Sequence, residues 1–237
     1  MPLSGPVRVK FWGSLACFTR PELKVERVSY PVMTPSAARG ALEAICWKPE
    51  FRWIVEQIEV LRPVQFIAAR RNEVQVKAPS GNVESWMRAG KDPLQFPPLY
   101  ADSRGPGGIA TQRNTLALKD VAYLVTARAL VGDAMVAAGN QPIKYEEMLR
   151  RRVERGQCWQ RPYLGCREFA AEFAPPEGDE RPVDATAELG LMLYDIAFAK
   201  SGNVPVFFAA RLEKGVLNTE PSQVLPDEET RVRLGLC

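Results

Sequence analysis

Apolar and polar residues alternate from Val7 to Trp12, with Val7, Val9 and Phe11 on one side and Arg8, Lys10 and Trp12 on the other. A period of two marks a strand with one buried face, so the chain is predicted to open on a strand. The period then changes. Ala38, Ala41, Leu42 and Ile45 recur at i, i+3, i+4 and i+7, the spacing of one buried helix face. Thr34 stands before them as N-cap, with Pro35 at the first helical position. The helix is predicted to stop near Trp47, because Pro49 drives Lys48 out of helical geometry.

Phe51 to Leu61 is short, rich in β-branched residues and bounded by prolines, and is predicted as a strand. Val64 to Val74 is expected to extend it or to pair with it. Residues 75–111 are rich in proline and glycine and are predicted as a long insertion loop with one short helix near Val83–Arg88. Val121 to Val131 (VAYLVTARALV) reads as a strand. Residues 143–155 read as a helix with Tyr145, Met148, Leu149 and Val153 on its apolar face and Gly156 closing it. Arg167 to Phe173 reads as a further strand. This β-α-β-insertion-β-α-β order is the split βαβ, ferredoxin-like plan. Pro175-Pro176 then marks a boundary, and Leu189–Ala199 and Val204–Leu212 read as a hairpin. The expected class is α+β: a ferredoxin-like domain over 1–175, followed by a small antiparallel β domain over 176–237. The last dozen residues are polar and expected to be loosely held.

Composition changes the picture in three ways. Hydrophobic residues make up 46% and charged residues 25% of 237, which suits a folded soluble domain. No apolar run is long enough for a membrane span and no secretory leader is visible, so a cytoplasmic location without membrane contact is expected. There is no histidine, which removes histidine bases and histidine-ligated metals. The five cysteines (17, 46, 158, 166 and 237) form no C-x-x-C pair, so neither a disulfide framework nor a zinc site is expected. No glycine-rich phosphate loop follows a strand. Neither a cofactor nor a metal is predicted.

Charge is unevenly placed. Residues 1–176 hold 25 Lys+Arg against 17 Asp+Glu, and residues 177–237 hold 6 against 11. Arginine, with its two-pronged donor geometry, supplies most of the positive charge. Lys144, Arg151 and Arg155 fall on one line of the second helix, where they could follow a phosphate backbone. Arg70, Arg71 and Arg113 could extend that surface across the sheet. Trp47, Tyr123, Trp159 and Tyr163 are candidates for stacking unpaired bases.

Five strings carry a family resemblance: FWGSLACFTRPELKVERVSY (11–30), TPSAARGALEAICWKP (34–49), RRNE (70–73), QRNT (112–115) and RRVERGQCWQRPYLGCREF (151–169). Together they resemble the CRISPR-associated Cas-five family in its subtype I-C form. The resemblance implies a RAMP-type, modified ferredoxin-like fold. It implies a subunit that cuts precursor CRISPR RNA within each repeat by attack of a ribose 2′-hydroxyl, without a metal. That subunit then holds the 5′ handle in a Cascade-type complex. The implied partners are the CRISPR repeat RNA, a backbone subunit of the Cas-seven family and a large subunit of the Cas-eight family, with target DNA as a further candidate. The family's lysine falls on Lys144, its histidine position on Tyr145 and its tyrosine position on Cys46. From the charge pattern, the candidate RNA contacts are Arg27, Arg70, Arg71, Arg113, Arg150, Arg151, Arg155 and Arg161. Two readings stay open: an endoribonuclease, or a non-catalytic subunit that caps the 5′ handle.

Overall fold

The computed structural model describes residues 1–23, 25–73, 80–90, 92, 111–199 and 202–236. Strand β1 (Val7–Ala16) buries Val7, Val9 and Phe11, as its alternation requires. After the two-residue β2 (Arg27–Val28), helix α1 (Pro35–Ile45) begins where Thr34 Oγ1 accepts the Ala37 amide at 3.2 Å. It buries Ala38, Ala41, Leu42 and Ile45. β3 (Phe51–Val60) and β4 (Phe66–Glu73) follow, then α2 (Ser80–Arg88). The expected insertion loop at 75–111 lies largely outside the described residues, apart from this helix.

β5 (Thr111–Val131) is a 21-residue strand that organises the sheet. Its second half pairs antiparallel with β1 (Phe11↔Tyr123) and with β3 (Ile58↔Val125). Its first half pairs with β4, from Phe66↔Leu118 to Glu73↔Thr111, and in parallel with β2. β4 therefore neither extends nor pairs with β3. The chain breaks at Pro63 and crosses to the free first half of β5, while Asp120, at φ 50°, marks the change of direction between the halves.

α3 (Asp133–Ala137) leads into α4 (Pro142–Glu154), which buries Tyr145, Leu149 and Val153 and gives way to Gly156 at φ 62°. The strand expected over Arg167–Phe173 shortens to β6 (Glu172–Ala174), paired with Lys10–Trp12 of β1. The preceding residues fold back instead: the Leu164 amide meets Phe169 O at 2.7 Å, and Cys17 N donates to Leu164 O at 3.0 Å. Gly165 makes this approach possible. Its φ is 84°, and a Cβ there would stand 2.0 Å from Cys17 O.

The C-terminal hairpin of β7 (Ala187–Ala199) and β8 (Gly202–Glu213) joins the same sheet through β9 (Val216–Asn218), which pairs with β3. The strand order is β6-β1-β5-β3-β9-β8-β7. Helices α1 and α4 pack against this sheet, α1 on β3 and β7, α4 on β1 and β5. The chain end is held, contrary to the sequence expectation. α5 (Pro221–Val224) and α6 (Glu228–Arg233) follow β9, Leu225 and Leu234 are buried, and Arg52 donates to Leu234 O. The two leucines supply the apolar anchors that the polar majority of this segment conceals.

A buried carboxylate ties the hairpin to the rest. Asp195 of β7 receives Arg39 of α1 through two bonds, at 2.9 and 2.8 Å, and Arg52 of β3 at 2.6 Å. Burial alone would lower the Arg39 pKa, but the Asp195 charge and hydrogen bonds outweigh it and leave it raised.

Candidate nucleic-acid interface

A helix leaves its last carbonyls without intrahelical donors, and α1 solves this by drawing other segments to its end. Arg152 of α4 donates to Ile45 O at 2.6 Å, and Trp53 Nε1 to Cys46 O at 2.8 Å. The Trp159 and Gln160 amides both reach Ala44 O, at 2.9 and 3.2 Å. These bonds fasten α4 and its following loop to the end of α1. They gather Cys46, Trp47, Lys48, Arg151, Arg152 and Trp159 at one corner of the molecule. Trp47 and Trp159 are 55% and 84% exposed there. Lys48, Arg151 and Arg155 are exposed beside them, with no ion pair among the described residues.

Tyr145 lies beneath this corner. Its ring is buried, stacked on Phe51 with centroids 4.2 Å apart. Its hydroxyl donates to Asn140 Oδ1 at 3.1 Å, and the same oxygen accepts Lys144 Nζ at 3.2 Å. Lys144 Nζ stands 5.3 Å over the Tyr145 ring and is otherwise open to solvent. Burial first, and then the charge of Glu50 and the nearby Cys46, push the Tyr145 phenol up. Burial also pushes the Cys46 thiol up, against the pull of Arg152, Lys48 and Arg151. Near neutral pH both groups keep their protons, which disfavours either as a base and suits either as a donor.

The other predicted arginines lie elsewhere. Arg27, Arg71 and Arg113 form a network with Glu73 and Glu168. Arg27 bonds to each carboxylate at 2.9 Å, Arg113 to Glu73 at 3.0 Å, and Arg71 to Glu168. Arg71 and Arg161 line a groove of about 790 Å³ with Trp12, Ile67, Glu168 and Phe169. Arg161 pairs with Glu172, and Arg150 with Glu146 and Pro6 O. Arg70 is exposed with no ion pair among the described residues. Beside the network, Cys166 Sγ lies 3.5 Å from Cys17 O. A hydrogen bond from Cys17, followed by the Arg27 charge, lowers the Cys166 thiol to about 7 against the opposing effect of its burial.

The structure thus brings Lys144, Tyr145, Cys46, Arg151 and Arg155 to α4 and the end of α1, and places Arg71 and Arg161 on the groove, with Arg27 and Arg113 joined to Arg71 through Glu168 and Glu73. Of the four aromatic candidates, Tyr123 is a core residue and unable to stack on a base, Tyr163 is half-buried, and Trp47 and Trp159 are open. Sequence reasoning missed Asn140, Lys48 and Glu50. The WKPE string carried the only signal for the last two, a cation and a carboxylate just beyond a helix end. Among the described residues no cluster of Cys, Asp and Glu is arranged to hold a metal ion, and no helix is long and apolar enough to cross a membrane.

Comparison with known proteins bears on this geometry. Residues 7–220 match the family model described as CRISPR-associated protein (Cas_Cas5). A protein of Mannheimia succiniciproducens named CRISPR pre-crRNA endoribonuclease Cas5d is 42% identical over 226 residues, covering 92% of this chain and 96% of the relative. Its namesake from Thermus thermophilus is 44% identical over 230 residues, covering 89% and 90%. Two solved structures share the fold. One is titled as a CRISPR-associated protein, with TM-score 0.64, 20% identity and coverage of 92% and 93%. The other is a functionally uncharacterized protein, SMU1763c from Streptococcus mutans, with TM-score 0.65, 19% identity and coverage of 94% and 96%.

Proposed function

The chain belongs to the CRISPR-associated Cas5 family, in its Cas5d form, and from that premise we propose that it is a precursor CRISPR RNA endoribonuclease. The observation that carries this reading is identity above 40% along nearly the whole of two proteins named for that activity. The strand order β6-β1-β5-β3, with α1 and α4 as the two crossovers, supports a ferredoxin-like RAMP core. Residues 1–175 form that core in this reading. Residues 176–237 form a C-terminal unit whose hairpin extends the core's sheet.

The RNA lies over the α1–α4 corner, with its scissile phosphate at Lys144 and its backbone along Arg151 and Arg155. Cleavage joins the ribose 2′-oxygen to phosphorus and releases the 5′-oxygen, leaving a 2′,3′-cyclic phosphate and a 5′-hydroxyl. Lys144, fixed by Asn140, supplies positive charge where the phosphorane develops it. Tyr145 acts through Asn140 and is a positioning residue, since its hydroxyl is already committed to that side chain. The groove lined by Arg71 and Arg161, with Arg27 and Arg113 in the adjoining network, takes the retained 5′ handle. The expected assembly is a cytoplasmic Cascade-type complex with Cas-seven and Cas-eight subunits, and target DNA as a further partner. The experiment is incubation of the purified chain with its cognate repeat RNA in EDTA. A single cut with a cyclic phosphate end supports the reading. Tight binding without a cut supports the handle-capping alternative, which the full burial of Tyr145 and Cys46 favours.

Phosphate tracking predicts a steep fall of RNA affinity with salt. Each neutralised phosphate adds roughly 0.7–0.9 to the log–log slope. The double variant Arg151→Ala, Arg155→Ala is therefore expected to lower the slope by about 1.5. An unchanged slope would remove these two side chains from the RNA path.

The exposed indoles predict stacking. Trp159→Ala is expected to weaken repeat binding by about 1–3 kcal/mol, the usual worth of one base on an aromatic ring. Trp159→Phe should retain most of the affinity. Wild-type indole fluorescence should be quenched on RNA addition. An alanine variant that binds as tightly as wild type would leave Trp159 without a base partner.

A further inference from the structure

Glu50 stands out among the described carboxylates. Its Oε2 is sealed from solvent with no hydrogen-bond donor among the described residues, while its second oxygen is not sealed in this way and the residue as a whole is half-buried. Glu146 also has a sealed, unpaired oxygen, but its other oxygen holds Arg150 at 2.9 Å. Glu50 has no ion pair on either oxygen among the described residues. A buried polar atom without a partner costs stability and calls for an explanation.

Its position supplies one. Pro49 ends the segment after α1, the Phe51 amide turns back toward Lys48 O, and the Phe51 ring stacks on Tyr145. Glu50 thereby sits next to the residue whose ring packs on Tyr145, and its charge acts on the Tyr145 phenol. Cutting RNA at a 2′-hydroxyl requires a proton acceptor. The chain has no histidine, and the Tyr145 phenol and Cys46 thiol are both buried and both hold their protons more tightly than usual. Glu50, Glu147 and Glu154 are the carboxylates of this corner and of α4 with no ion pair among the described residues, and of the three only Glu50 has an oxygen sealed from solvent without a donor.

We propose that Glu50 is the general base of the cleavage reaction, a catalytic residue that takes the role a histidine would otherwise fill. The inference rests on the reading of the chain as an endoribonuclease. The second oxygen of Glu50 takes the proton of the ribose 2′-hydroxyl as the 2′-oxygen bonds to phosphorus. The bond from phosphorus to the 5′-oxygen breaks, and that oxygen takes a proton from the Lys144 ammonium. The proton on Glu50 then returns to Lys144 through solvent, so the enzyme ends as it began.

The test is single-turnover cleavage of the cognate repeat in EDTA by wild type and Glu50→Gln, across pH. Affinity is read in parallel with a repeat carrying a 2′-deoxy residue at the cut. Glu50→Gln is expected to slow cleavage by about 10²-fold or more, with affinity within about twofold, the loss typical of a removed base. The acid limb of the wild-type pH–rate profile should vanish in this variant. The other charged and titratable groups at this corner are Tyr145, Cys46, Lys48, Arg151 and Arg152. Cleavage by Glu50→Gln within about threefold of wild type, or an acid limb that persists in it, would overturn the proposal and leave the endoribonuclease reading standing. Wild type that binds the repeat uncut would overturn both. If Glu50→Gln does not fold, Glu50→Asp carries the test. It keeps a carboxylate one methylene back and should cut more slowly with its acid limb preserved, and wild-type speed would refute the assignment.

Discussion

Asp195→Ala is expected to lower the unfolding free energy by about 3–5 kcal/mol, the loss that follows when one partner of a buried ion pair is removed. The Asp195 side chain is 5% exposed, and three hydrogen bonds bring two guanidinium groups to it. Deleting it leaves Arg39 and Arg52 facing each other with their main counter-charge gone. Arg39 keeps Glu43 at 2.7 Å, and Arg52 keeps only the Leu234 carbonyl. Three elements distant in sequence lose their common point: α1, β3 and β7. For a domain of this length the midpoint of thermal unfolding should fall by roughly 6–20 °C. Asp195→Asn retains the shape and some hydrogen bonding and should cost less. Denaturant unfolding of the three proteins checks the order. A shift below about 1 kcal/mol for the alanine variant would mean that water replaces the carboxylate, and that the hairpin is held by its apolar face alone.

The Asp195 site also shows where the fold was legible. Helix α1 could be read residue by residue, because its cap, its proline and its apolar spacing are local signals that agree. The hairpin of β7 and β8 was legible for the same reason. The first half of β5 was not, because Thr111 to Asp120 is mostly polar and its pairing depends on β4, which lies far back in the chain. The strand expected over Arg167–Phe173 failed on a single glycine: Gly165 turns the chain onto the Cys17 carbonyl and consumes residues that pattern alone assigns to a strand.

The candidate site divides along the same line. Lys144 and the exposed arginines of α4 were readable from helical spacing. The arginines of the groove were readable as charges but not as partners. Arg27 and Glu168 are 141 residues apart, and only the folded sheet brings them together with Glu73. Tyr145 could be read as an apolar-face residue and as a chemical candidate, and the structure favours the former through Phe51 and Asn140. Glu50 carried no signal beyond its place just past a helix end, since what distinguishes it is a hydrogen bond that it lacks.

Lys144→Ala is expected to reduce single-turnover cleavage by about 10²–10³-fold, the effect of removing one preorganised donor from a developing negative charge. The ammonium is exposed, so its attraction to an RNA phosphate in the ground state is screened by salt and contributes little. Its value arises when charge accumulates on the phosphorane oxygens and when the 5′-oxygen leaves. Affinity for the 2′-deoxy repeat should therefore change only severalfold. Lys144→Arg keeps the charge but moves it outward on a planar group, so it should recover binding fully and cleavage in part. Asn140→Ala offers a control on positioning. It frees the Lys144 amine and the Tyr145 hydroxyl from their shared acceptor, at 3.2 and 3.1 Å, without deleting either. It should slow cleavage by less than Lys144→Ala does. Tyr145→Phe should have a smaller effect still, because it removes one bond to Asn140 and leaves the stack on Phe51 intact. If Lys144→Ala and wild type cut at equal rates, the phosphate does not lie at Lys144. The unpaired cations Lys48, Arg151 and Arg155 at the far end of the same corner would then be the place to look for it.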